Sequence, residues 1–328
     1  MEQLKPNVSA KPGGVAGSGK RAALSKVAVA YLLIVLLFLA GQAASPGFSS
    51  FSNIMNVLNI SALLGFIALA QTVVVLSGDE GIDLSVGAMA SLSAVMSSQM
   101  INGADGQLAF AAAAVIAVGF AIGCVSGAGI AYFQIPPLVM TLAMASVIQG
   151  IALVYTNGQP KGMASPALKQ LGTAQTLGIP NLVLLWIVVA AAAALLLSRT
   201  KWGQLLYGLG ANRLTTELSG VRTRVVRTLV YGVSGAVASL GGLLLLSYTG
   251  TSYLDIGSAY MLPTIIAVVI GGVSLAGGQG TYNGTAAGVI LLTTLSSILV
   301  TLHIGEGGRQ IVFGSVLLLL LIVYARQK

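Results

Sequence analysis

Apolar residues fall in ten long runs, at about 27–45, 60–77, 84–101, 108–131, 138–156, 181–198, 229–248, 261–276, 284–303 and 309–325. Most reach the roughly 20 residues that cross a bilayer core as a helix. In hydrocarbon each backbone N–H and C=O must be satisfied within the protein, and a helix does this segment by segment. The runs lack the short alternation of an outer-membrane barrel strand. The pattern predicts an all-α polytopic membrane protein of about ten transmembrane helices. Charge agrees: Asp, Glu, Lys and Arg make up 7% of 328 residues, against roughly 25% in a soluble domain. That excludes an ordinary soluble enzyme, a disordered chain and a nucleic-acid-binding domain, despite a net charge of +8. The eighth run is short and glycine-rich. Phe51–Asn59, with Phe51, Ile54 and Leu58 on one helical face, reads as a short interfacial helix leading into the second span.

Lys and Arg in the loops set the orientation. With the N-terminus inside, thirteen of the 16 lie in inner segments, among them Lys20, Arg21, Arg199, Lys201, Arg213, Arg222, Arg224, Arg227 and Arg326; Lys161, Lys169 and Arg309 remain outside. Both termini are then cytoplasmic. The expected organisation is a disordered basic tail over 1–26 and a transmembrane domain over 27–328, with a cytoplasmic loop at about 199–228. Residues 27–43 resemble a signal-peptide core, but the long basic leader and nine further runs favour a retained helix. Gly14–Lys20 fits most of a phosphate-binding loop. Arg21 stands where Ser or Thr would hold Mg²⁺, and no strand precedes it, so the chain is not expected to bind ATP itself.

Little side-chain chemistry is on offer. Cys124 and His303 are the single residues of their types, so no internal disulfide, metal cluster or catalytic constellation is expected. The functional question becomes what the chain moves.

Four features stand out. Gly119, Gly123 and Gly127 form two overlapping G-x-x-x-G steps, and Gly284 and Gly288 form another. Such spacing lets helix backbones approach closely, in the bundle or at a dimer interface. Second, Asp79, Glu80 and Asp83 crowd the turn Ser77–Gly87 between spans two and three. Asp83 or Ser85 there suits a cap on the third helix; the functional alternative is a pathway or gate. Third, Asn212–Ser219 reads as a helix of about two turns, with Asn212 as N-cap and Gly220 past its end. So short a helix needs something to pack on, either its own membrane domain or a soluble partner. Arg222, Arg224 and Arg227 follow it, where they are expected to meet lipid phosphates. Fourth, the glycine-rich run 270–280 interrupts helical structure and echoes the turn after 73, suggesting a weak internal repeat.

Taken in order, Gly81-Ile-Asp83-Leu84-Ser85-Val-Gly87, Tyr155-Thr-Asn-Gly158, Gly210-x-Asn212…Leu218-Ser219-Gly220 and Gly271-Gly-Val-Ser-Leu-Ala-Gly-Gly278 resemble the ribose-type sugar permeases of bacterial ABC importers. The resemblance runs from about residue 48 to the C-terminus. It implies a multi-pass subunit in the bacterial inner membrane, paired with a second copy or a related permease. It further implies two cytoplasmic ATPase subunits, which hold ATP and Mg²⁺, and a periplasmic binding protein that delivers a pentose, hexose or related polyol. The chain itself would bind no cofactor and no metal, and would touch membrane lipid rather than nucleic acid. Gly210, Asn212, Leu214, Glu217, Leu218, Ser219 and Gly220 match the region that meets the ATPase. Pathway candidates within the spans are Gln71, Thr72, Ser91, Thr141 and Tyr155, together with Gln149. Where such permeases commonly carry Glu-Leu-Asp after a tyrosine, this chain has Met261-Leu262-Pro263 after Tyr260, which bears on the sugar carried. The competing reading is a cation-coupled secondary transporter using Asp79, Glu80 and Asp83; an intramembrane enzyme ranks last.

Overall fold

The computed structural model describes residues 18–325. Most of the basic tail, the start of the Gly14–Lys20 run, Arg326 and Lys328 lie outside the described residues. Within them the chain forms α1 (Ser18–Ala44), α2 (Phe51–Leu76), α3 (Val86–Ile101), α4 (Leu108–Tyr132), α5 (Pro137–Thr156), α6 (Pro166–Thr173) and α7 (Asn181–Arg199). There follow α8 (Lys201–Ala211), α9 (Arg213–Leu218), α10 (Thr223–Thr249), α11 (Met261–Ile270), α12 (Tyr282–Thr301) and α13 (Glu306–Ala325). A two-residue antiparallel ladder, β1 (Gln175–Thr176) with β2 (Ile179–Pro180), precedes α7.

Among the described residues seven helices are long and apolar enough to cross a membrane: α1, α2, α4, α5, α7, α10 and α12. The apolar runs at 84–101 and 261–276 give shorter helices. α11 has 10 residues, or about 15 Å at the helical rise, half the thickness of a hydrocarbon core. The expected helix to 276 ends early because Gly271 and Gly272 follow Ile270, with Gly272 at φ +81°. On its other side, irregular chain descends along α3: Ser252 Oγ lies 2.6 Å from Ser98 Oγ, and Gly257 N donates to Ser91 Oγ at 2.9 Å. Irregular backbone at this depth is tolerated because protein groups satisfy it. Phe51–Asn59 is also not a separate helix. Ser50 caps α2 by accepting from Asn53 N, and neither Gly nor Pro interrupts the chain before Gly65.

Burial separates helices that look alike in sequence. α2 is buried continuously from Ser61 to Leu76, with α10, α11, α12 and α7 packed around it. By contrast α1, α4, α5 and α7 expose Leu32, Val125, Val154 and Val188, a belt suited to lipid. A buried relay ties three helices: Trp186 Nε1 donates to Tyr282 Oη at 2.8 Å, and Tyr282 Oη donates to Gly65 O at 2.9 Å. Span hydroxyls bond back to their own helices, as Thr72 does to Ala68 O at 2.7 Å, or across, as Thr72 does with Thr285 at 2.9 Å.

The tightest crossing is α4 on α10. A Cβ on Gly123 would collide with Tyr231 O, one on Gly119 with Gly235 O, and one on Gly127 would sit 2.7 Å from Thr228 Cα. Gly235 answers from the other side against Gly119 O.

Loops gather at two ends. One end holds 77–85, 133–136, 199–222 and 271–281. At the other, Gly103 N donates to Met163 O at 3.1 Å and Ala164 N to Gly250 O at 2.9 Å. There Asp105 fixes the start of α6; hydrogen bonds from the Ser165 side chain and the Ala167 N–H hold its carboxyl below the usual range.

Gly123→Leu should force α4 off α10. Overpacking a close contact costs about 1–3 kcal/mol, read as a lowered melting temperature of the detergent-solubilised protein. Gly150→Ala, where an added Cβ meets nothing within 4 Å, should melt no lower than wild type. Equal melting of Gly123→Leu and wild type would contradict the packing assigned here.

Candidate functional site

Three stretches that the sequence offers separately meet at the first of these ends. Gly278 N donates to Leu76 O at 3.0 Å, joining the 271–281 loop to the end of α2. A Cβ on Gly78 would stand 2.7 Å from Gly210 Cα at the end of α8, and one on Gly277 would collide with Gly78. Gly78, Gly277 and Gly278 all have positive φ, at +78°, +90° and +67°. Glycine is required here twice over, for backbone conformation and for contact. Tyr207 Oη adds a bond to Gly280 O at 2.8 Å.

From this junction α9 projects. Asn212 Oδ1 accepts from Thr215 N at 2.9 Å, and Gly220 closes the far end at φ +85° with its N–H on Glu217 O at 2.9 Å. Glu217 Oε2 accepts from Thr223 Oγ1 at 3.3 Å, and Ser219 Oγ donates to Thr215 O at 2.9 Å. No residue of α9 is buried; Leu214 and Leu218 are 67% and 81% exposed. Sequence reading missed α8 just before it, whose signals are the Thr200 N-cap and the buried Leu206 and Leu209.

Asp79 is the electrostatic centre of the junction. Its carboxylate accepts from Arg227 Nη2 and lies 3.6 Å from Arg213 Nη1. Arg227 is 6% exposed, so it does not face lipid phosphates as expected. A buried guanidinium needs a counter-ion, and Asp79 supplies it from 148 residues away. Arg224 lies over the Tyr132 ring at 5.9 Å. Asp79 and Glu80 hold φ of +52° and +55°, a region that non-glycine residues adopt at a cost.

Asp83 sits apart from Asp79. It is 3% exposed, accepts from Ser85 N and Ser85 Oγ at 2.9 and 2.5 Å, and from Ser234 Oγ at 2.8 Å. Neither Asp83 nor Ser85 caps α3 through its side chain: the serine hydroxyl is spent on the carboxylate. Leu84 N donates to Thr141 Oγ1 at 3.1 Å, docking the turn on α5. Gly81 and Gly87 are both close-packed, with added Cβ atoms 2.8 Å from Val74 O and Gly257 O.

The pathway candidates are not brought together. Thr72, Ser91 and Thr141 are buried; Thr72 is hydrogen-bonded to Thr285 on α12, while Ser91 and Thr141 accept from the irregular backbone at Gly257 and Leu84. Gln71 is fully buried in α2, with both amide atoms lacking a partner among the described residues. Tyr155 lines a cleft at the opposite end, with Asn157, Gln159 and Lys161. Among the described residues no group of His, Cys, Asp and Glu is placed to hold a metal ion.

Residues 53–325 match the family described as branched-chain amino acid transport system / permease component. The ribose import permease protein RbsC of Escherichia coli (strain K12) is 34% identical over 297 residues, 89% of this chain and 92% of that one. RbsC of Haemophilus influenzae is 31% identical over 280 residues, 84% of this chain and 86% of the relative. The autoinducer 2 import system permease protein LsrC of Shigella flexneri is 32% identical over 297 residues, 90% and 86% of the two chains. No solved structure matches the chain. A family match over most of the length, on a bundle of membrane-length helices, makes this chain a member of that family of transport-system permease components.

Proposed function

We propose that the chain is the membrane permease subunit of an ATP-driven ABC importer, passing a sugar delivered by a periplasmic binding protein. The observation that carries this reading is the match over about nine-tenths of the chain to permeases named for ribose and autoinducer 2 import. ATP hydrolysis belongs to a separate subunit. Among the relatives named above none supports the cation-coupled alternative, and Asp79 and Asp83 have different partners here.

The finer assembly is part of the same proposal. Ten spans (α1 to α5, α7 and α10 to α13) and cytoplasmic termini fit the Lys and Arg bias. A second permease copy and two ATPase subunits complete the complex. Reporter fusions after residues 165 and 215 should read outside and inside respectively. A single compartment for both would refute this arrangement.

α9 is the coupling element in this proposal. Its caps define a rigid rod, Leu214 and Leu218 face outward for a partner groove, and Gly210 and Arg213 fix its base to the end of α2. A push on α9 therefore reaches Asp79, and through the 77–85 turn reaches α3, α5 and α10. In proteoliposomes holding permease, ATPase and binding protein, sugar should accumulate only with ATP. Leu214→Asp should weaken ATPase binding by about ten-fold, the scale of one lost interface anchor, while membrane insertion stays normal. Gly220→Val should strain the left-handed cap and uncouple hydrolysis from uptake. Normal uptake and assembly in both variants would rule α9 out as the coupling element.

A further inference from the structure

We infer that a cleft beside α9 binds the head of an anionic phospholipid with one phosphate and free hydroxyls, of the phosphatidylglycerol class. Its placement in the inner leaflet rests on the orientation proposed above. The cleft has a volume of about 240 Å³ and lies where the end of α4, α9 and the start of α10 meet. Tyr132, Glu217, Arg222, Thr223 and Arg224 line it. The volume is below the roughly 300–1,000 Å³ of small-molecule pockets, and it suits a headgroup whose acyl chains lie outside. Two of the lining residues are cations without a counter-ion. Asp79 pairs with Arg213 and Arg227, and Glu306 pairs with Arg309. Among the described residues Arg222 and Arg224 pair with no carboxylate. The Arg224 guanidinium stacks over the Tyr132 ring at 5.9 Å. Stacking orders the guanidinium and leaves its N–H fork for phosphate oxygens.

The surroundings of the cleft point to a lipid rather than a soluble anion. Val125 and Tyr132 are both exposed and stand about two turns apart on one face of α4. Phe133 follows them, 78% exposed, and Val225 exposes apolar surface on the α10 side. An apolar stripe therefore runs down the span to the ring beneath Arg224. A basic pocket between membrane helices at the cytoplasmic surface, edged by aromatic side chains, gathers anionic headgroups. A free phosphate would meet the arginines and leave the stripe unused. Glu217 narrows the choice of head. Its Oε2 accepts from Thr223 Oγ1 at 3.3 Å, and its Oε1 has no partner among the described residues. That oxygen is available to a headgroup hydroxyl, while its charge opposes a second phosphate. Glu217 stands on α9 and Thr223 on α10, so a lipid seated here braces the short helix against the span.

The test reads lipid binding by the full-length permease in bilayers of phosphatidylcholine mixed with phosphatidylglycerol. Tyr132→Trp sets an indole against the cleft, and brominated chains on one lipid or the other quench it; wild type gives the background of Trp186 and Trp202. The indole should prefer phosphatidylglycerol by about 25-fold, five-fold for each of two basic residues against an anionic lipid. Arg222→Gln and Arg224→Gln should each cut that preference about five-fold. Arg199→Gln removes an exposed arginine at the end of α7, outside the cleft, and should leave the preference unchanged. Native mass spectrometry on the chain with Tyr132 intact, counting retained phosphatidylglycerol, should rank these variants in the same order, and it decides the matter if Tyr132→Trp misfolds. Millimolar glycerol 3-phosphate and added ATPase subunits should leave the lipid in place. Equal losses in Arg199→Gln and the cleft variants would reduce the effect to general surface charge. Displacement by glycerol 3-phosphate would assign the cleft to a soluble anion, and displacement by the ATPase would assign it to that partner. Each of these three results overturns the lipid site. Lipid binding is read here without sugar or uptake, so a complex that imports no sugar would overturn the importer reading and leave this site standing.

Discussion

In hydrocarbon, helices gain nothing by burying leucine against leucine, because lipid is equally apolar; contact must come from close packing and hydrogen bonds. This chain meets that constraint with its 42 glycines. Backbone meets backbone where α4 crosses α10, where Gly284 and Gly288 bring α12 onto α11, and where Gly78, Gly210 and Gly277 converge. Each contact fixes a distance that a single methyl group would exceed. The arrangement of charges depends on it in turn: Asp79 reaches Arg213 and Arg227 because the glycine junction draws the α2 turn, α8 and the start of α10 together.

Much of this was legible in the sequence. Apolar runs marked nearly every long helix, since hydrocarbon admits so few alternatives. The caps Asn212 and Gly220 bounded α9 to within a residue or so, because capping is local chemistry. Where the sequence misled, non-local geometry was responsible. Phe51–Asn59 has the period of an interfacial helix, but no local signal separates it from Ile60. The eighth run counts as apolar through residue 276, yet glycine pairs that read as apolar do not sustain a helix. Which helices are inner and which meet lipid was illegible, because α2 and α4 are both predominantly apolar and only packing distinguishes them.

The site divides in the same way. The acidic turn, the capped helix and the glycine run each announced themselves, but their meeting did not. The partners of Asp79 lie 134 and 148 residues downstream, and nothing in one chain's spacing pairs them. Arg227 looked like one more basic residue of a lipid-facing loop; its burial makes it a structural cation. The scattered hydroxyls Thr72, Ser91 and Thr141 looked like a polar path and instead supply the hydrogen bonds that hold helices and irregular backbone together.

The glycine junction and the Ser50 cap lie at opposite ends of one rod, α2. α2 has 26 residues, so it is about 39 Å long at the helical rise. It ends at the glycine junction and begins at Phe51, next to the Ser50 cap at the opposite end of the bundle. A rod of that length pivoted at one end amplifies small rotations: a tilt of about 5° swings the far end by roughly 3 Å, the width of a hydroxyl group. No residue along its length need change rotamer for this to occur. Leverage of this kind makes the stiffness of α2 itself, rather than any chain of side-chain contacts, the quantity that links the two ends of the molecule.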